Sequence, residues 1–449
     1  MVFFPLAPEQ RSMMFLEGLF GPGIFHNMSV ALPVGKHIDD AALRDAIARL
    51  HQRQAALRSA LVAGTAYVQQ VVPVEPSFTV HMAEAGESVG DLLRRRRSEL
   101  LNLPQDRGVP GRVRYELLGE ADGPDRRLLV TLDHFVCDGY AAGVVARELA
   151  ALLDRQQSEP PVEAGELPTA YPELCRVRSQ TAERADKEVE YWTRALDGVL
   201  PLTNLAPHTA QDGTAVRAQV DSVHAGPAHH AQVEALGERY GATPFSVMAT
   251  LTAAAIWART GRQRFALFSP LSGRHDPASQ AAVGCFAQDR PVVCHVTPEQ
   301  RLSDCVKAAL ARSWRSTRNT AVSVADLVHR VPAFGQALLA DGVDYVQLHV
   351  WMETETADGP DAAPPVDTRR TTHHGVFRPA RDLTVTTLRF GFSPRRTTVR
   401  AFFGGPAQGL DQAEDLGAAV LSLLAAAAAA DGDVTVGELV ELVEGARPR

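Results

Sequence analysis

Strand-like and helix-like patterns alternate along both halves of this chain, on either side of a proline-rich stretch. Residues 156–172 contain four prolines, several acidic residues and little periodicity, which is typical of an interlobe linker. A chain of 449 residues is too long for one small core. Alternating elements favour α/β layering. We therefore expect two α/β lobes, residues 1–165 and 166–449.

Composition excludes several classes of protein. The chain is 45% apolar and 22% charged with a net charge of −8, which argues for an ordinary globular protein and against a general nucleic-acid binder. The first residues lack the basic segment of a signal peptide, and we find no apolar run of the ~18 residues that a membrane helix needs. The five cysteines are scattered and form no Cys-x-x-Cys pair, so neither a disulfide framework nor a metal site is expected. We expect a cytoplasmic protein that binds neither membrane nor nucleic acid.

The stretch DHFVCDG, residues 133–139, is the strongest candidate for a catalytic site. It follows a predicted strand and precedes a predicted helix, so it forms a strand-to-loop-to-helix junction. A neutral imidazole at His134 can accept a proton near physiological pH. Asp138 can hold the loop by pairing with an arginine or with backbone amides, and Gly139 leaves room for the backbone or a substrate. Spacing alone fits a loop histidine before an ordinary Asp-Gly turn equally well.

Two neighbouring features have plain structural interpretations. Cys137 invites a nucleophile hypothesis, but a free cysteine in such a position is usually a small buried hydrophobe. The basic run at residues 94–97 could bind an acidic carrier protein. It is equally typical of a solvated helix face with neighbouring acidic residues, and we favour this second interpretation.

Several stretches, in order along the chain, resemble segments of nonribosomal peptide synthetase condensation domains. DHFVCDG resembles the family signature His-His-x-x-x-Asp-Gly, whose His-x-x-x-Asp-Gly part is shared by a superfamily that includes chloramphenicol acetyltransferase. Four further segments are similar to other family motifs: LAPEQRSMMFLEG (6–18), RQAALRSAL (53–61), GERYGATPFSVMATLTAAAIWARTGRQRFALFSPLSGR (237–274) and VGCFAQDRPVV (283–293). Together these matches extend over residues 6–293, which is most of the length of the chain.

The resemblance implies an α/β fold with two chloramphenicol-acetyltransferase-like lobes, arranged as a V-shaped pseudo-dimer with a tunnel between them. It implies a free-standing condensation enzyme that takes an acyl group from a carrier-protein thioester and transfers it to an amine or hydroxyl acceptor. The acyl group would arrive on a phosphopantetheine arm, with no cofactor bound to the enzyme. His134 would act as general base or position the nucleophile, Asp138 would be structural, and Gly139 would leave room for the substrates. Holding both reactants beside one base lowers the barrier through proximity.

The chain departs from the family pattern at several positions. Asp133 stands where the family has its first histidine, a position that is mainly structural there, so we expect Asp133 to support the loop. The Asn-Thr pair of the fifth motif is replaced by Gln288-Asp289. If Asp138 needs an arginine partner, we favour Arg58 over Arg290.

Three other functions remain open at this point. One is an acyltransferase of the same superfamily that uses acyl-CoA, another is a condensation-like cyclase or dehydratase, and the third is a module that recruits partners without catalysis. The sequence does not distinguish amine from hydroxyl acceptors or identify the oligomeric state.

Overall fold

The computed structural model describes residues 2–20, 27–65, 68–101, 103, 106–110, 112–120, 123–155, 170–179, 182–199, 201–203, 205, 215–352, 368–377, 383–406 and 409–445. The chain divides into two compact units. Unit 1 comprises Met1–Gly18, Pro22–Ala185 and Ser272–Gln288, and unit 2 comprises Leu19–Gly21, Asp186–Leu271 and Asp289–Arg449. The predicted single boundary at residue 165 therefore differs from this division. The reason is that helix Ala170–Ser179 packs on elements of unit 1, and so does a segment that is far away in sequence, Ser272–Gln288.

The strands of unit 1 form two sheets. They are β1 (Val2–Pro5), β2 (Met28–Pro33), β3 (Ser59–Leu61), β4 (Val68–Val71), β5 (Ser77–Met82), β6 (Val113–Gly119) and β7 (Arg126–Leu132). The order is β2-β7-β6-β5 in one sheet and β1-β4-β3 in the other. The helical elements are α1 (Pro8–Phe20), α2 (Asp40–Arg53), the 3₁₀ turn η1 (Ala55–Arg58), α3 (Val89–Leu101), α4 (Gly139–Arg155) and α5 (Ala170–Ser179).

Strand β7 is apolar on both faces because helices cover both sides of its sheet. Leu128, Val130 and Leu132 pack in a core cluster with residues of α2 and α4. Leu129 points the other way and packs against the apolar residues of α3. A strand buried on both faces reads as a continuous apolar run, as LLVTL does here. The DHFVCDG stretch begins directly after the buried end of β7.

Unit 2 contains one mixed sheet. Its strands are β8 (Ala215–Ala225), β9 (Arg264–Leu271), β10 (Gln288–His295), β11 (Val343–Met352), β12 (Thr368–Phe377), β13 (Leu383–Phe392) and β14 (Arg396–Gly405). The order is β10-β9-β11-β13-β14-β8-β12, with β9, β11 and β13 parallel and the remaining pairs from β13 to β12 antiparallel. The remaining helices are α6 (Ala182–Ala195), α7 (Ala228–Tyr240), α8 (Pro244–Thr260), α9 (Pro277–Ala281, in unit 1), α10 (Leu302–Arg318), α11 (Val324–Arg330), α12 (Pro332–Leu338), α13 (Gly409–Ala429) and α14 (Val436–Gly445).

Helix α13 is long and apolar enough, by length and composition, to cross a membrane, with a mean hydropathy of 1.2. The sequence analysis found no run of that kind. In the fold, Leu416, Val420 and Leu424 repeat at a spacing of four and pack into the core of unit 2 with Leu388 and Phe390. Within the unit, α13 is therefore a core helix. Both units contain sheets covered by helices, which confirms the prediction of a mixed α/β fold with two lobes.

Candidate functional site

His134 lies on a turn between β7 and α4. The strand ends at Leu132, residues 134–136 form the turn, and the helix begins at Gly139, so the predicted strand-to-loop-to-helix junction is confirmed. His134 is half-buried, whereas Asp133 and every residue from 135 to 138 are buried. The junction therefore holds a partly accessible imidazole on a turn whose other side chains are anchored in the interior of unit 1.

Asp133 anchors the first half of this turn. Its Oδ1 accepts a hydrogen bond from the backbone N–H of Phe135 at 2.9 Å, and its Oδ2 accepts one from Nη1 of Arg112 at 2.7 Å. Arg112 also donates through Nη2 to the carbonyl of Ser59 at 3.1 Å. Only 3% of the Arg112 side chain and 7% of the Asp133 side chain are exposed, so the ion pair is internal. Burial lowers the pKa of Arg112, and the charge of Asp133 opposes that effect.

The register of one hairpin brings Arg112 to Asp133. Strands β6 and β7 are antiparallel, with Val113 opposite Leu132, so the residues just outside that pair face each other. The backbone N–H of Asp133 donates to the carbonyl of Arg112 at 3.1 Å. The sequence analysis missed Arg112, because its pairing with Asp133 depends on the register of β6 against β7.

Asp138 anchors the second half of the turn and the start of α4. Its Oδ1 accepts from the backbone N–H of Ala141 at 2.7 Å, which caps the helix. Its Oδ2 accepts from the backbone N–H groups of Phe286 at 2.8 Å and Ala287 at 3.0 Å. Oδ1 also accepts from Nη2 of Arg274 at 3.0 Å, and both partners of this ion pair are 1% exposed. The carboxylate of Asp138 is thus occupied by four donors, which suits a structural role.

The arginine partner of Asp138 is Arg274, so the prediction of Arg58 is wrong. The guanidinium of Arg58 donates to the carbonyl of Gln52 at 3.3 Å. The alternative, Arg290, donates to backbone carbonyls of residues 320 and 322 in unit 2. Arg274 is the last residue of segment 237–274, which is similar to a segment of the family. It is 136 residues from Asp138 in sequence. Only the packing of segment 272–288 within unit 1 brings the two residues together.

Segment 272–288 is held against the rest of unit 1 by Arg274 and by two glycines. Arg274 donates to the carbonyls of Ala282 at 2.7 Å and Gly284 at 3.0 Å, which folds the segment around its guanidinium. A Cβ at Gly284 would lie 2.5 Å from the ring of Tyr171, so only glycine permits this approach. Gly273 has a φ of +63°, which also favours glycine. The segment therefore delivers the backbone donors for Asp138 in a close-packed position.

Gly139 differs from these two glycines because the fold does not require it. It is exposed, and it is not one of the glycines that have a positive φ in the described residues. A Cβ built on it would contact only the methyl carbon of Met28, at an ordinary 3.7 Å. The backbone therefore does not require a residue without a Cβ at this position, contrary to one of the two reasons expected for Gly139.

Cys137 has the properties of a structural cysteine. It is fully buried, and burial together with the charge of Asp138 raises its pKa well above the ordinary value. A thiol in this environment stays protonated and is a poor nucleophile. All five cysteines are free and buried.

Three arginines of the basic run on α3 are paired with acidic residues of unit 1. Arg95 donates to Glu87 at 2.9 Å, Arg96 donates to Glu116 at 2.6 Å, and Arg94 pairs with Asp91. These contacts support the interpretation of the run as a solvated helix face.

Asp289, which stands in the segment that resembles the fifth family motif, places a titratable carboxyl within unit 2. Asp289 accepts hydrogen bonds from Nε2 of Gln347 at 2.5 Å and from the hydroxyl of Tyr345 at 3.4 Å. Burial raises the pKa of Asp289 to about 6, against the opposing effect of these hydrogen bonds. Thr387 donates to Gln347 at 2.6 Å and extends the polar group to β13.

Comparison with solved structures shows that the fold is shared widely. The SgcC5 protein from Streptomyces globisporus matches with a TM-score of 0.73 at 18% identity, over 95% of this chain and 98% of that one. The condensation domain of the monacolin K polyketide synthase MokA matches with a TM-score of 0.74 at 15% identity, over 97% of this chain and 99% of that one. At these identities the similarity establishes the fold alone.

Sequence comparison identifies longer relatives. Phosphinothricin tripeptide synthetase PhsC from Streptomyces viridochromogenes is 25% identical over 308 residues, which cover 67% of this chain and 28% of the relative. Tyrocidine synthase 3 from Brevibacillus parabrevis is 26% identical over 289 residues, 63% of this chain and 4% of the relative. The chain thus spans less than a third of the length of these curated relatives.

The family model for the condensation domain matches residues 2–343, which include the His134 turn and segment 272–288. Condensation domains are acyltransferases that form amide or ester bonds and act on substrates tethered to carrier proteins. The order of motifs along the sequence, the fold of both units and this match agree, and the chain belongs to the condensation-domain family.

Proposed function

We propose that this chain is a condensation enzyme that transfers an acyl group from a carrier-protein thioester to an amine or hydroxyl acceptor. The observation that carries the proposal is the half-buried imidazole of His134 on a turn fixed at both ends by buried carboxylates. A general base must keep its geometry relative to the reacting groups, and a turn with anchored side chains meets that need.

In this mechanism His134 accepts the proton of the attacking amine or hydroxyl, or holds that nucleophile in line with the thioester carbonyl. The new amide or ester bond forms as the carbon–sulfur bond breaks, and the thiol of the phosphopantetheine arm leaves with a proton. Asp133 and Asp138 hold the turn and take no part in proton transfer, because each carboxylate is already occupied by donors. Gly139 leaves space beside the turn.

The test supplies the carrier protein in trans. The chain is incubated with carrier proteins loaded with acetyl, octanoyl or aminoacyl groups and with small primary amines and alcohols, and products are identified by mass spectrometry. We expect His134→Ala to abolish product formation while circular dichroism and the melting temperature stay unchanged. His81→Ala is the matched control, since His81 is another half-buried histidine of unit 1, on β5, and should keep full activity. Undiminished turnover in His134→Ala would contradict the proposed role.

The donor and the outcome are separated by further arms of the same experiment. The same acyl groups on CoA test the acyl-CoA alternative, and preferential turnover of CoA thioesters would favour it. One structure with this fold is a complex of an X-domain with OxyB, and another concerns chain release from the enacyloxin polyketide synthase. Carrier binding without consumption of any thioester would favour a module that recruits partners without catalysis. A cyclic or dehydrated product would favour a condensation-like cyclase or dehydratase.

A further inference from the structure

Unit 2 contains a cavity of about 380 Å³ that is lined by cationic side chains. Arg194 comes from α6, Arg264 from the start of β9, and Arg312 and Arg315 from α10. His295, at the end of the edge strand β10, completes the basic lining. The lining residues, all of which belong to the described part of the chain, include no Asp or Glu.

Local sequence periodicity explains why these groups converge. Arg312 and Arg315 are three residues apart on α10 and therefore share one helix face. Pro291, Val293 and His295 alternate along β10 and therefore share one face of the strand. Both faces border the same cavity, with Pro291 and Val293 forming part of an apolar wall. The cavity thus has a cationic side and an apolar side.

The charges of this cavity are not neutralised by the described residues. None of the four arginines has an ion pair there, although the whole chain carries a net charge of −8. The positive charge is felt inside the cavity: after burial, Arg312 and Arg264 are the causes that lower the pKa of His295. Like charges gathered in a concave site repel one another, and an anion bound among them relieves that repulsion.

We propose that this cavity binds a small organic molecule that carries a phosphate group. Each guanidinium offers five N–H donors in a planar fork that matches phosphate oxygens, and the doubly charged phosphate uses several such forks at once. A carboxylate carries one charge and accepts hydrogen bonds from fewer guanidinium groups. A cavity of this volume is in the range that holds organic ligands, and the apolar wall of Pro291 and Val293 suits the organic part. The cavity residues belong to unit 2 and the His134 turn belongs to unit 1. The proposal does not depend on the proposed acyl transfer.

The experiment measures binding to the full chain by calorimetry and thermal shift at low ionic strength. The probes are inorganic phosphate, phenyl phosphate and benzoate. We expect saturable binding of phenyl phosphate, weaker binding of inorganic phosphate, and binding of benzoate at least tenfold weaker than that of phenyl phosphate. Absence of saturable binding of phenyl phosphate, or equal affinity for benzoate, would overturn the proposal.

Matched variants locate the site. Arg315→Gln should weaken phenyl phosphate binding at least fivefold, and Arg315→Lys should recover part of it. Arg318→Gln removes the same charge from the same helix outside the cavity lining and should leave binding unchanged. His134→Ala should bind phenyl phosphate as the parent chain does, which keeps this test distinct from that of acyl transfer. Equal affinity in Arg315→Gln and Arg318→Gln, or loss of binding in His134→Ala, would overturn the assignment.

Discussion

Arg112 and Asp133 form an ion pair of 2.7 Å inside unit 1, directly beside the turn that carries His134. Asp133 stands where the family signature has its first histidine, so the pair belongs to this chain's own version of the motif. Asp133→Asn leaves the buried guanidinium of Arg112 without its counter-charge, which typically costs about 3–5 kcal/mol. We expect a loss of that size in the free energy of unfolding, measured with urea.

The double variant Asp133→Leu/Arg112→Met is the control for this prediction. Removing both charges avoids an unpaired buried ion, so the double variant should be more stable than Asp133→Asn. A cost below about 1 kcal/mol for Asp133→Asn would show that the ion pair does not hold the turn.

Arg274→Ala should destabilise the chain far more than Arg58→Ala. The first change removes the charged partner of Asp138 and the donor to three backbone carbonyls of segment 272–288. The second removes one long hydrogen bond to Gln52. We expect a loss of about 3–5 kcal/mol for Arg274→Ala and about 1 kcal/mol for Arg58→Ala, from urea unfolding of both variants in parallel. Equal losses would return Arg58 to consideration as a structural partner of the motif.

Gly139→Ala separates a requirement of the fold from a requirement of the substrate. The added methyl group meets only Met28 at 3.7 Å, and alanine is favourable in a helix, so the free energy of unfolding should change by less than about 1 kcal/mol. If the space beside Gly139 admits the reactants, turnover should fall at least tenfold. Steady-state kinetics and thermal melting of the same preparation measure both quantities. Unchanged turnover would remove Gly139 from the site.

His51 should make unit 1 sensitive to acid. It is buried and contacts the hydroxyl of Tyr115 at 2.9 Å, and burial followed by the charge of Arg58 lowers its pKa from 6.5 to about 4. Between these two values the unfolded chain binds the proton that the folded chain rejects, so stability falls as the pH drops through this window. The gap between the pKa values corresponds to at most about 3 kcal/mol.

The measurement is the free energy of unfolding of the parent chain and of His51→Gln at pH 7.5 and pH 4. The parent chain should lose more stability than the variant over this interval, because glutamine does not titrate. Parallel loss in the two proteins would assign the acid sensitivity to other groups.

The sequence by itself determined the local features of the site. The apolar run of β7, the amphipathic start of α4 and the turn residues between them depend on near neighbours, so pattern and propensity were enough to place His134 at a strand-to-helix junction. The order of several short motifs also determined the family, because a conserved order along the chain survives when individual matches are loose.

Only the tertiary structure decided which distant side chains meet that turn. The sequence offered Arg58 and Arg290 as partners of Asp138, but the structure pairs it with Arg274. That pairing follows from the packing of segment 272–288 within unit 1, where Gly273 and Gly284 permit a close approach. The register of β6 and β7 likewise brings Arg112 to Asp133. The four arginines of the unit 2 cavity come from three separate elements. Contacts between residues far apart in sequence depend on how whole elements pack, which no local pattern encodes.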